Sequence, residues 1–264
     1  MTENVTNEEF DLLIRAVREA GATALSYYGN NPRSDTKADG TSVSEADHAA
    51  NDVLEQQLVT DHQAYGWLSE ESEDDLSRLR HTKVWMVDPI DGTRAFLKPA
   101  PEWTVSAALV VDGAPEIAAV FNPVKDELFH ARRGGGTFLN DTPVTVREPV
   151  DLDGACLAAS PGLLRSSRWT RPWPNVKAVW VNSIAYRLAL VAAGMCDGTI
   201  SMSGKNDWDI AAADLLVREA GGRMTDHEGR EFTYNRESTR QLSVVAAGPA
   251  LHSALIERTS QATI

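Results

Sequence analysis

The chain has 264 residues and carries 25 Lys and Arg against 38 Asp and Glu, a formal charge of −13. Hydrophobic residues make up 42% and charged residues 24%, a globular mix that excludes disorder, a collagen-like chain and a disulfide scaffold. The acid excess leaves no overall basic field to hold a nucleic-acid polymer or an anionic membrane surface. Positive charge for any anionic ligand has to come from elsewhere.

The length suffices for one large α/β domain or two modest ones. Cys156 and Cys196 have no C-x-x-C partner, so neither a disulfide framework nor a thiolate zinc site is implied. The N-terminal stretch MTENVTNEEFDLL is acidic and lacks the basic and apolar regions of a signal peptide. No apolar run approaches the roughly 18 residues of a membrane helix. A cytoplasmic protein without an integral membrane span is expected.

Thr6-Asn7-Glu8-Glu9 reads as a capping box, and Phe10, Leu13, Ile14, Val17, Ala24, Leu25 and Tyr28 follow at helical spacing up to Gly29. A polar, turn-rich stretch, Asn30 to Thr41, leads to a second capping signature, Ser44-Glu45-Ala46-Asp47, and a helix to about Gln63. From Val84 the pattern turns to strands. Val105 to Val111 and Glu116 to Phe121, joined by Asp112-Gly113, carry the strongest short-range hairpin signal. Glu127 to Arg132 and Thr137 to Leu139 continue an antiparallel run across a glycine turn at Gly134 to Gly136. From Asp151 strands and helices alternate, with helices from Ser183 to Gly194, from Asp207 to Ala220, and at the C-terminus. The expected division is a 1–150 unit of two helices and an antiparallel sheet, then a 151–264 α/β unit.

The segment Val87-Asp88-Pro89-Ile90-Asp91-Gly92-Thr93 ends an apolar strand in two carboxylates, a proline that fixes the backbone and a glycine that frees it. Such a strand end can gather oxygen ligands for a hard cation and free N–H groups for a phosphate. It can equally be a turn whose Asp side chains cap backbone groups. Spacing excludes several phosphate chemistries: two residues separate the acids where the aspartyl-phosphate hydrolases have one, and there is no Walker A loop and no thiol-phosphatase loop. The glycines Gly134 to Gly136 do not fit a dinucleotide loop, and the six histidines show no zinc spacing. Glu70-Glu71 opens an acidic run, and Asp209 follows Trp208 in the first turn of a helix, where the dipole alone would favour it.

Taken together, Asp47, Glu70-Glu71, the D-P-I-D-G-T strand end and the W-D-x-A-A helix start resemble the inositol monophosphatase superfamily in order and spacing. The resemblance runs nearly the whole chain. It implies an α/β/α/β/α layered sandwich, with an antiparallel N-terminal sheet and a mixed C-terminal one, and a Mg²⁺-dependent phosphomonoesterase. Glu70, Asp88, Asp91, Asp209 and the Ile90 carbonyl match its metal ligands. Glu70, Asp47 and Thr93 match its catalytic positions, Thr93 pairing with Asp47 to orient the attacking water. Asp47 could also serve as a helix cap, and Glu71 as an acid behind the ligands or a solvated one. Gly92 and Thr93 would offer N–H groups to the phosphate. Four acids in one pocket make sense only when divalent cations, about two or three Mg²⁺, offset them.

Asp91 to Leu97 and Gly66 to Glu71 look closest to the bacterial 3′(2′),5′-bisphosphate nucleotidase (CysQ-like) branch. That reading expects Arg187 or Lys205 at a second phosphate and Tyr186 against a base, the bland alternative being a surface charge and a helix side chain. Asn206-Asp207 departs from the branch's pattern. Inositol 1-phosphate, histidinol phosphate or fructose 1,6-bisphosphate are the alternative substrates, and a metal-dependent binding or regulatory module is the non-enzyme one. The family also suggests a homodimer.

Overall fold

The computed structural model describes residues 5–37, 40–60, 65–148 and 151–263. Helix α1 (Asn7–Tyr27) starts as the capping box requires: the Thr6 hydroxyl accepts from the Glu9 N–H at 3.1 Å, and the Glu9 carboxylate accepts from the Thr6 N–H at 2.5 Å. The stretch read as polar and turn-rich, Asn30 to Thr41, contributes β1 (Ser34–Thr36) to a short antiparallel hairpin with β2 (Ser42–Ser44). Helix α2 (Glu45–Thr60) follows directly; its expected extension to Gln63 lies outside the described residues.

A seven-stranded sheet runs in chain order through β3 (Gly66–Ser69), β4 (Lys83–Asp91), β5 (Thr104–Val111), β6 (Ala114–Asn122), β7 (Glu127–Arg132), β8 (Gly136–Leu139) and β9 (Thr142–Val144). It departs from a purely antiparallel sheet at one edge, where β3 lies parallel to β4. The Asp112-Gly113 turn joins β5 to β6 with φ of 50° and 80°, the left-handed pair that matches the twist of a tight hairpin. The glycine turn between β7 and β8 is held from outside: Gly134 and Gly136 donate their N–H groups to the Glu219 carboxylate at 2.9 and 3.0 Å.

Beyond residue 150, β10 (Cys156–Leu157), β11 (Lys177–Ala178) and β12 (Gly198–Ser201) begin a second sheet. The pair β13 (Lys205–Asn206) and β15 (Arg240–Gln241) stands apart, while β14 (Arg223–Thr225) and β16 (Val244–Ala247) complete that sheet in the order β11-β10-β12-β16-β14. Its β11-β10-β12 side is parallel and its β12-β16-β14 side antiparallel. The remaining helices are α3 (Thr93–Phe96), α4 (Pro161–Leu164), α5 (Ile184–Ala192), α6 (Asp207–Glu219) and α7 (Pro249–Thr259).

Strand alternation explains the layering. Along β4, Trp85 and Val87 point to one face and pack with Leu13 and Val17 of α1 and Leu54 of α2. Val84 and Met86 point to the other and pack with Leu188 of α5 and Ile210 and Leu215 of α6. The same two helices meet Val244 and Ala246 of the second sheet, whose outer face carries Val245 and Ala247 against Leu251 and Leu255 of α7. The result is an α/β/α/β/α sandwich with α5 and α6 in the central layer. Among the described residues no helix is long and apolar enough to cross a membrane.

Candidate active site

All nine residues of β4 are buried, and its register against β5 breaks between Asp88 and Asp91. Pro89 has no N–H to give the ladder, so the chain leaves regular pairing there. Asp88 turns inward: its Oδ1 accepts from the Ile90 N–H at 3.0 Å, and its Oδ2 is buried with no hydrogen-bond partner among the described residues. An ionised oxygen left in that condition is costly without a cation.

Glu70 and Asp209 reach the same spot from different elements. Parallel pairing sets Ser69 beside Val87, and the Glu70 N–H donates to the Val87 carbonyl at 3.3 Å. Asp209, in the first turn of α6, accepts from the Asn206 N–H at 2.7 Å and so both caps the helix and faces the cleft. Carboxylate oxygens of Glu70, Asp88 and Asp209 lie within 4.8 Å of one another. An all-oxygen set with an unpaired buried carboxylate fits a hard divalent cation.

Asp91 is engaged differently. Its Oδ2 accepts from the Ser183 hydroxyl at 2.5 Å and the Ala185 N–H at 2.6 Å, so one oxygen caps α5 while the residue lines the cleft. Ser183, where the sequence reading started this helix, is the N-cap of α5; its bond to Asp91 is what the sequence reading did not foresee. Burial, then repulsion from Glu70, Asp91 and Asp209, holds the Asp88 carboxyl well above its ordinary range. Burial raises Asp91 to about 6 against its hydrogen bonds, and burial followed by Asp91 and Glu70 raises Asp209 to about 8. Among the described residues Glu70 is ion-paired by Lys37, whose ammonium donates to Glu70 at 3.0 Å and to Glu71 at 2.8 Å. The Glu71 side chain, 4% exposed, is paired, which removes the solvated alternative.

Asp47 makes the contacts of both readings weighed for it. Its Oδ2 accepts from the Ser44 N–H at 2.8 Å and the Ser44 hydroxyl at 2.6 Å, a helix cap, while its Oδ1 faces the Thr93 hydroxyl at 3.2 Å. The same hydroxyl lies 3.1 Å from the Ile90 carbonyl. Gly92, at φ 99°, turns the chain between Asp91 and Thr93; a Cβ there would sit 2.9 Å from the Glu102 carbonyl oxygen. Ile90, Gly92 and Thr93 line one cleft of about 550 Å³ with Glu70, Asp88, Asp91 and Asp209.

The three expected substrate residues separate. Lys205 lines this cleft, and both Lys205 and Arg187 line the cavity beside it. Tyr186 does not face a ligand: it is buried against Phe129, donates to Glu127 at 2.6 Å and accepts from Lys125 at 2.8 Å. Consecutive helical residues diverge by about 100°, so Tyr186 and Arg187 cannot point into the same space.

The profile of the inositol monophosphatase family matches residues 6–263. A Mesorhizobium japonicum protein named inositol-1-monophosphatase is 34% identical over 262 residues, covering 94% of each chain. The Escherichia coli K12 protein named Nus factor SuhB is 31% identical over 257 residues, covering 93% of each. The crystal structure of the extragenic suppressor protein suhB from Bartonella henselae superposes with a TM-score of 0.80 at 30% identity, covering 94% of this chain and 96% of that one. The bisphosphate nucleotidase (CysQ-like) branch expected from the sequence is not confirmed by these matches. With the layered sandwich, the order of the acidic motifs and these matches in agreement, the chain belongs to the inositol monophosphatase family, whose members are metal-dependent phosphomonoesterases.

Proposed function

We propose that the chain hydrolyses a small-molecule phosphate monoester with Mg²⁺ held by Glu70, Asp88, Asp91, Asp209 and the Ile90 carbonyl. The observation that carries this reading is the convergence of Glu70, Asp88 and Asp209 within 4.8 Å around a buried carboxylate oxygen that no described residue satisfies. Mg²⁺ bound there supplies charge neutralisation and Lewis acidity toward water and the ester.

The chain's own groups divide the remaining work. Asp47, fixed by Ser44, accepts the Thr93 proton, which leaves the Thr93 oxygen free to accept from the attacking water and aim it. Gly92 and Thr93 set the backbone at the phosphate's edge of the cleft. Lys37, which lines the same cleft, balances Glu70 and Glu71.

Inositol 1-phosphate is the substrate the relatives' names support. The nucleotidase reading, 3′-phosphoadenosine 5′-phosphate, stays second on one observation, the arginine-lined cavity beside Asp91. Phosphate release from these two, histidinol phosphate and fructose 1,6-bisphosphate, measured side by side with and without Mg²⁺, tests the assignment. Mg²⁺-dependent release from at least one is the expected result. Release that persists in excess chelator contradicts the metal's role, and Mg²⁺ binding without release from any of them favours a binding module.

A further inference from the structure

Glu70 and Asp209 come from elements far apart in the chain, and a buried guanidinium outside the cleft ties those elements together. The loop that leaves β3 through Glu70 and Glu71 returns in a short 3₁₀ turn (Ser77–Arg80). Arg78 of that turn packs back on β3, where a Cβ built on Gly66 would lie 3.1 Å from the Arg78 Cα. Arg78 is 1% exposed.

Its fork meets two sets of acceptors. Nε and Nη2 donate to the two carboxylate oxygens of Asp74 at 3.0 and 2.8 Å, which closes the Glu70 loop on itself. Nη1 donates to the Asn235 side-chain oxygen at 2.9 Å and to the Arg236 carbonyl at 3.0 Å, and the Asn235 side-chain amide donates back to the Arg78 carbonyl at 3.4 Å. The segment gripped in this way cradles the start of α6. The Asn235 N–H and the Gln241 side-chain amide donate to Asp207 at 3.2 and 2.9 Å, and the Thr239 hydroxyl donates to the Asn206 side chain at 3.2 Å. Asn206 and Asp207 are the N-cap and first residue of α6, and the Asn206 N–H is the group that holds Asp209. Hydrogen bonds therefore run without a break from the Glu70 loop through Arg78 and Asn235 to the turn that carries Asp209.

A buried ion pair is a poor source of net stability, since apolar side chains of similar volume fill the same space without the desolvation cost. What a planar fork adds is a fixed geometry between its acceptors. Asn235, at φ 56°, occupies the left-handed region that Asn tolerates, and it faces Arg78 with its side chain and Asp207 with its N–H. We infer that Arg78 and Asn235 are positioning residues that hold Glu70 in place relative to Asp209 and thereby set the affinity of the centre for Mg²⁺. The inference rests on the metal-dependent reading of the cleft and adds to it two residues that do not line it. Mg²⁺ demands near-octahedral oxygen geometry, so ligands allowed to drift apart bind it less tightly.

Titration calorimetry of Mg²⁺ without substrate, on proteins shown by circular dichroism to be folded, tests this. Asn235→Gly keeps the left-handed backbone and the N–H to Asp207 but loses the bond to Arg78; Asn235→Asp keeps an acceptor for Arg78. Asn235→Gly is expected to raise the Kd for Mg²⁺ about tenfold, the scale for a lost outer partner of a metal ligand, and Asn235→Asp to stay near wild type. Arg78→Lys, which keeps the charge but not the fork, should weaken binding as Asn235→Gly does, and it carries the test if Asn235→Gly does not fold. A wild-type Kd in a folded Asn235→Gly or Arg78→Lys protein, or equal weakening in Asn235→Asp and Asn235→Gly, overturns the positioning role and leaves the metal centre standing. Loss of the fold in both Asn235→Gly and Arg78→Lys overturns it too, since the contact is then structural. A wild-type protein that binds no Mg²⁺ overturns the metal reading itself.

Discussion

Glu70 stands beside Asp88 because the strand before it runs parallel to the strand that ends in Asp88, with Ser69 paired to Val87. The β3 edge is only four residues long, yet its register decides the site, since a slip by one residue would turn Glu70 to the opposite face. Trp67 and Leu68, packed into the two opposite core clusters, resist that slip.

Removing the buried charge at the centre should therefore stabilise the protein whenever divalent cations are withheld. In excess chelator, Asp88→Asn is expected to melt higher than wild type, by about 1–3 kcal/mol of stability, because an uncompensated buried carboxylate is lost. Added Mg²⁺ should then stabilise the variant less than the wild type. A variant that melts lower in chelator and gains as much from Mg²⁺ contradicts this account of Asp88.

The raised carboxyls give the stability a pH dependence with a definite sign. Asp91 at about 6 and Asp209 at about 8 hold protons in the folded chain that the unfolded chain, with its ordinary 3.8, has already released. Their contribution is therefore complete below about 4 and drains away as pH climbs through those folded values. Since Mg²⁺ takes the place of the protons, its gain in melting temperature should increase from about pH 5.5 to about pH 8.5. Differential scanning at both values, with chelator or Mg²⁺, checks it; a gain independent of pH disagrees.

In the proposed mechanism Thr93 positions water through its oxygen, with Asp47 hydrogen-bonded behind it. Thr93→Val should lower kcat by about 100-fold with a smaller change in KM, and Thr93→Ser should recover most of the loss, because the hydroxyl is the operative group. Equal losses in both variants would point to packing instead.

Gly92 has no room for a side chain, given its φ of 99° and the Glu102 carbonyl 2.9 Å from a built Cβ. Gly92→Ala is expected to cost about 1–3 kcal/mol in denaturant unfolding and to displace Thr93, lowering kcat as well. Unchanged stability and unchanged kcat would show that the turn adapts.

What the sequence disclosed follows from how local each signal is. The D-P-I-D-G-T strand end, the Thr6 capping box and the Asp112-Gly113 hairpin are written in neighbouring residues, and each appears where expected. Glu70's partner depended on a parallel pairing across the fourteen residues between Ser69 and Val84, which periodicity cannot report. The β1–β2 hairpin was hidden because its strands are three residues each, β1 is polar and exposed, and the single apolar residue, Val43, gives no alternation to read. Tyr186 was misplaced because its helix is buried on nearly every side, so composition gave no clue which residue faced the cleft.

The most direct test is phosphate release from inositol 1-phosphate and the bisphosphate substrates as Mg²⁺ is titrated, in wild type and Asp209→Asn, with circular dichroism confirming that both are folded. Saturable, Mg²⁺-dependent release by the wild type, reduced more than about 100-fold in the variant, is the predicted result. Turnover that is indifferent to Mg²⁺, or an Asp209→Asn protein as active as wild type, would contradict the metal centre built from Glu70, Asp88 and Asp209.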